Sequence, residues 1–108
     1  VGLNYTQTIT VRAEDGQVIA DMLEAWDDLQ SGLDIMGYMG TRVLADRADP
    51  GRFVIIAEFA SVDARVSAAD EAAKNNDREE TQEWARRLAE YVQGEPEYQH
   101  YDELYRTG

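Results

Sequence analysis

His100 is the only histidine in the chain. Acid–base chemistry by imidazole near neutral pH therefore rests on this one side chain. Tyr98 and Asp102, two residues to either side, share its face if the stretch is a strand. In a functional role His100 would shuttle a proton or bond a ligand, with an Asp–His pair geometrically available. The plainer reading makes it a strand residue near a sheet edge or a subunit seam. Trp84 offers a flat apolar wall for an aromatic ligand, or ordinary core packing at helical spacing. Glu58 is the one charge in an apolar stretch, so a buried position would demand a partner or a raised pKa. It is either a polar group at a ligand site, up to a general base, or half of an ion pair with Arg42 or Arg52. Tyr91, Tyr98, Tyr101 and Tyr105 crowd the end of the chain, where they suit a ligand site or an interface.

Several chemistries are excluded. The chain has no cysteine, so thiolate catalysis and disulfides are absent. No nucleophile elbow accompanies His100. A metal site could use only carboxylates, and no calcium-loop pattern occurs, so no metal is expected. Gly37 to Gly40 is not a nucleotide fingerprint. The 22 acidic and 10 basic residues give a net charge of −12. Nucleic acid and anionic membranes would be repelled. No apolar run approaches the ~20 residues that span a bilayer, and no signal pattern opens the chain, so a cytoplasmic protein is expected.

At 108 residues the chain is one domain, 1–108. The element that must organise it is Arg52 to Ser61, the most apolar run. Its β-branched and aromatic residues read as a strand. Phe53, Ile55, Ala57 and Phe59 take one side, Val54, Ile56 and Glu58 the other. Both faces are largely apolar, so both need a cover. Helices supply one; a second subunit is the natural source of the other. Asn4 to Arg12 alternates as a strand, with Tyr5, Gln7, Ile9 and Val11 on one side. Asp15 is a plausible cap for a helix from Gln17 to Leu33, whose stripe runs through Ile19, Met22, Leu23 and Trp26 and which ends at Gly32. Gly37 to Asp46 reads as a strand with Tyr38 on the face away from Thr41, and Gly40 marks a bulge or a close approach. A turn at Asp46 to Gly51 closes a hairpin. Ser61 is expected to cap a helix from Val62 to Ala73, with Asp63 in its first turn. Asn75-Asn76-Asp77 interrupts. A further helix runs from Arg78 to Gln93 and stops at Gly94 and Pro96. Glu97 to Tyr105 is the last strand.

The order βαββαβ, with its second helix broken, predicts a ferredoxin-like α+β fold: helices on one face of an antiparallel sheet. Here the chain resembles the dimeric α+β barrel superfamily, and within it the antibiotic biosynthesis monooxygenase-like family. The resemblance lies in Glu58-Phe59-Ala60-Ser61 leading into a helix, in the break at Asn75 to Asp77, and in the ending from Tyr91 to Tyr98. It implies a homodimer whose sheets pack into a barrel. In enzymatic members it implies a pocket between sheet and helices that oxidises polycyclic aromatic or quinol-like compounds with no bound cofactor. Haem-degrading relatives use an asparagine near the first strand with a tryptophan and a histidine on the second helix. Asn4 and Trp84 match by position. No histidine lies between Val62 and Gln93, so haem ligation does not carry over.

The resulting expectation is a homodimer that binds a small aromatic or apolar molecule and oxidises it without a cofactor. The candidate catalytic residues are His100 and Trp84; Tyr98, Tyr91, Asn4 and Glu58 are the candidate substrate-binding residues. The rivals are a non-catalytic ligand-binding or stress-related barrel and a purely structural dimer. An open cavity beside Trp84 and His100 separates the first two from the last.

Overall fold

The computed structural model describes residues 3–30, 36–62 and 65–107, apart from the side chains of residues 29 and 30. Its elements run β1 (Tyr5–Arg12), α1 (Gly16–Gln30), β2 (Tyr38–Ala45), β3 (Arg52–Phe59), α2 (Ala68–Asn76), α3 (Glu79–Tyr91) and β4 (Gln93–Asp102). The strands form one antiparallel sheet in the order β2-β3-β1-β4, the ferredoxin-like arrangement.

Alternation along the strands sorts the sheet into rows, because side chains on paired residues point the same way. Val43, Ile55, Ile9 and Tyr98 form one inward row. Thr41, Ala57, Gln7 and His100 form the next. Tyr38, Phe59, Tyr5 and Asp102 form the third. The first row, apart from the half-exposed Tyr98, packs into a core cluster with Val11, Ile19 and Leu88. The third, apart from the exposed Asp102, packs with Ala68 and Ala72. Burial of these two clusters, at about 25 cal/mol per Å² of apolar surface, supplies the main stabilisation. The middle row is small or polar, and of its members only Ala57 packs against a cluster, the second.

Several expectations are corrected here. Tyr38 faces inward, because β2 carries one extra residue between Tyr38 and Gly40 and the pairing shifts there. The open space around the Cα of Gly40, at φ +125°, marks a bulge and not a close approach. Helix α2 begins at Ala68, not after Ser61. Its cap is Ser67, whose Oγ accepts the Asp70 N–H at 3.0 Å. Asp63, Gly32 and Leu33 lie outside the described residues. The expected break in the second helix is present but falls at Asp77 and Arg78: Asn75 and Asn76 form the last turn of α2, and Asp77 caps it. Helix α3 ends at Tyr91, and Gly94 and Pro96 already belong to β4. Proline is tolerated there because β4 is an edge strand, paired only with β1. That strand ends at Asp102, short of Tyr105.

Other expectations hold. Asp15 Oδ1 accepts the Gln17 N–H at 2.9 Å at the start of α1. In the β2–β3 hairpin, Asp46 Oδ1 accepts the Ala48 N–H at 2.8 Å and Oδ2 accepts from Arg52 at 3.0 Å. The Ala48 N–H bond, aided by Arg52, holds the Asp46 carboxyl below the usual carboxylate range.

Gly37 secures the entry to β2. Its carbonyl accepts the Ala60 N–H at 2.7 Å, at φ +79°. An added Cβ would stand 2.3 Å from the Ala60 carbonyl oxygen. Left-handed strain alone is worth about 1–2 kcal/mol in a residue with a Cβ. Gly37→Ala is therefore expected to destabilise by about 2 kcal/mol or more in thermal melting, since the clash adds to the strain. An unchanged melting temperature would contradict this.

The outer face of the sheet is mixed. Val54 and Ile56 lie there with Leu44 and Met39, and β1 adds Thr6, Thr8 and Thr10. Met39 and Leu44 are about half exposed, at 49% and 45%.

Candidate functional site

The gap between the two core clusters is a cavity of about 320 Å³. Its floor is the middle row, Thr41, Ala57, Gln7 and His100, flanked by Ile55, Ile9, Phe59, Tyr38 and Tyr98. Its roof comes from Leu23 and Trp26 of α1, Asn75 and Asn76 of α2, and Thr81, Trp84 and Ala85 of α3. The volume lies within the range of small-molecule sites, about 300–1,000 Å³. The space exists because the sheet is floored by alanine and threonine where the adjoining rows carry isoleucine, phenylalanine and tyrosine.

Trp84 lies in the roof. Its indole N–H donates to the Met22 carbonyl at 2.9 Å, so its one donor is committed. The ring meets Trp26 at a centroid distance of 5.4 Å and a tilt of 46°. What Trp84 offers the cavity is therefore an apolar face. Trp26, read as plain core, also lines the cavity.

His100 lies on the helix-facing side of the sheet, opposite Gln7 of β1. The side chain that engages its Nδ1 is Tyr5, through the phenolic oxygen, and the two rings stack at 6.0 Å and 18°. This leaves Nε2 as the nitrogen available to a ligand. Burial, with the charge of Asp102 as a second cause, raises the Tyr5 pKa, so the phenol stays neutral. The third row thus backs the middle one. The expected Asp102–His100 pairing gives way to one through Tyr5. Tyr98, half-exposed at the cavity mouth, is also raised by burial.

The remaining expected residues lie elsewhere. Tyr91 is 57% exposed at the end of α3 and does not line the cavity. Asn4 ties strand ends together: its Nδ2 donates to Glu103 Oε2 at 2.8 Å and its Oδ1 accepts the Ser61 N–H at 2.9 Å. Glu58 is on the outer face, 3.6 Å from Arg42 and 3.0 Å from Arg106. Arg52 pairs instead with Asp46.

Besides Tyr5 and Trp26, sequence reasoning overlooked the polar contributors. Gln7 Oε1 accepts from Asn76 Nδ2 at 2.9 Å, bridging floor and roof. Tyr38 and Thr41 join hydroxyls at the floor. The available signal was Gln7, a polar residue on the inward side of an otherwise apolar strand. Among the described residues no group of three or more His, Asp or Glu could hold a metal. No helix among them is long and apolar enough to cross a membrane.

A ferredoxin-like sheet with an aromatic-roofed cavity between sheet and helices defines an α+β protein with a pocket of small-molecule size. The model of the antibiotic biosynthesis monooxygenase family matches residues 4–71, and this chain belongs to that family. Solved structures agree in fold. A Nitrosomonas europaea protein, proposed as an antibiotic biosynthesis monooxygenase, is 18% identical, with a TM-score of 0.69 over 100% of this chain and 97% of that one. A counterpart from Deinococcus radiodurans is 13% identical, with a TM-score of 0.70 over 96% of each chain. A mutant of SnoaB, a cofactor-independent oxygenase from Streptomyces nogalater, is 12% identical, with a TM-score of 0.70 over 95% of each. At these identities the likeness carries the fold and not the activity. No curated protein sequence matches the chain.

Proposed function

We propose that this protein binds a flat, mostly apolar aromatic compound of anthrone or quinol type and oxidises it with dioxygen and no cofactor, as a homodimer. The observation that carries the reading is the cavity itself: an imidazole in its floor faces a roof of two indoles. The indoles stack on the ligand. In the tautomer whose Nδ1–H donates to the Tyr5 oxygen, His100 Nε2 takes a proton from the activated CH₂ or phenol while Tyr5 holds the ring. For an anthrone, the resulting carbanion gives electrons to dioxygen, a C–O bond forms, and loss of water leaves a carbonyl. The barrel dimer rests on the outer face of the sheet, where Leu44, Val54, Ile56 and Met39 would meet a second copy.

An oxygen electrode tests the activity. Purified protein with anthrone is expected to consume oxygen well above the uncatalysed rate. Quenching of tryptophan fluorescence without oxygen uptake would leave a non-catalytic binding barrel. Absence of both signals would remove the reading.

A further inference from the structure

Two oxygens in the cavity roof lack partners. Asn75 Oδ1 and Thr81 Oγ1 are buried with no hydrogen-bond partner among the described residues. Asn75 is 5% exposed, and both residues line the cavity. Native interiors leave few such groups, and each costs about 1–3 kcal/mol when unpaired. Helix termination does not explain Asn75. Backbone groups close the last turn of α2: the Asp77 N–H reaches the Ala73 carbonyl at 3.1 Å, and the Arg78 N–H reaches the Asn75 carbonyl at 3.2 Å. Asn76 holds the same turn to the sheet through Gln7, so the position of Asn75 is fixed from its neighbour.

We infer that Asn75, assisted by Thr81, is the specificity-determining residue of the cavity, and that it selects ligands bearing a hydrogen-bond donor, a phenolic O–H or an N–H, on the edge that faces the helices. The inference rests on the reading that the cavity holds a flat aromatic compound. An amide oxygen only accepts, so an ether or a bare ring edge cannot satisfy it. The Thr81 hydroxyl both donates and accepts, which suits the ligand's own oxygen. A ligand lacking the donor leaves Asn75 Oδ1 as it stands, buried and unpaired. Sites built around a polar contact discriminate more strongly against its loss than apolar pockets discriminate against a missing methylene. The proton-accepting wall and the donor-reading wall are thus opposite one another, His100 in the sheet and Asn75 in the helices. The ligand is oriented before any proton moves.

Quenching of Trp26 and Trp84 fluorescence reads the test, with anthracene, 2-methoxyanthracene and 2-hydroxyanthracene as probes. The wild type is expected to bind the hydroxy compound about 10-fold more tightly than the methoxy compound, the equivalent of one restored hydrogen bond. Asn75→Leu is expected to lose that preference while binding anthracene at least as well. Its melting temperature should hold or rise, because an unpaired polar group has been removed; a structural role for Asn75 would lower it. Thr81→Val is expected to reduce the preference by itself, and it decides the matter if Asn75→Leu fails to fold. A preference that is absent in the wild type, or intact in both variants, overturns the inference while anthracene binding leaves the proposed function standing. Failure of all these probes to bind the wild type overturns both.

Discussion

His100→Ala is expected to lower oxygen uptake with an anthrone-type substrate by about 10²-fold or more, the usual cost of losing a positioned acid–base group. The expectation follows from place. His100 is in the row that floors the cavity, and its Nδ1 is held by a phenol that burial keeps neutral. A smaller loss is expected for Tyr5→Phe, which keeps the buried ring and removes only the hydroxyl that orients the imidazole. Trp84→Phe should weaken substrate binding more than turnover, since the indole N–H is spent on the Met22 carbonyl and only the ring face meets the cavity. The measurement is initial oxygen consumption across a substrate series, for the three variants and the wild type. Equal rates throughout would remove these residues from the mechanism.

The second large effect is on assembly. Light scattering at micromolar concentration is expected to return twice the chain mass of 12.2 kDa for the wild type. Val54→Asp is expected to convert the protein to monomer at the same concentration. Val54 is on the outer face, paired with Leu44 on one side and Thr10 on the other, with no cation opposite it. In a dimer the new carboxylate would be buried without a partner, which costs about 3–5 kcal/mol and weakens association by roughly 10²-fold or more. In a monomer the same position is only partly buried by its own chain, so the carboxylate would keep access to water and cost less than in a dimer. A wild type that scatters as 12.2 kDa would overturn the barrel.

The parts of this fold that could be read from the sequence are those governed by local periodicity. The strand faces of Tyr5 to Val11 and Phe53 to Phe59 follow from alternation, and α1 follows from its stripe and Asp15. Alternation also put Tyr98, His100 and Asp102 on one side, but not which side; only the pairing with Ile9, Gln7 and Tyr5 decides that. Failures occurred where two local signals competed. Ser61 and Ser67 both precede alanine-rich chain. Only Ser67 has an acidic residue three positions on, and there the helix starts. Gly94 and Pro96 read as a helix stop, yet an edge strand accommodates both. The bulge before Gly40 reversed Tyr38, since one extra residue exchanges the faces of everything on its far side. The polar roof was the least legible. Asn75 and Asn76 read as a break because asparagine is a poor helix former. Their use is tertiary: one holds Gln7 across the cavity and the other is directed to it with an oxygen unpaired.

Ala57 has a bearing on how such a protein can change over generations. It sits in the middle of a central strand, between Ile55 and Phe59, and it gives the cavity floor its depth. Growth of that one side chain to valine or leucine would trim the cavity from below while both neighbours keep their own packing. Overfilling a core commonly costs about 1–3 kcal/mol, but here the added methyl groups enter space that is already open, so the penalty should be at the low end. A lineage can therefore resize the cavity by single codon changes at one position, without rebuilding the sheet, the helices or the row that carries His100. The floor works as an adjustable gauge, and members of one fold family can differ in the width of this cavity while sharing every strand.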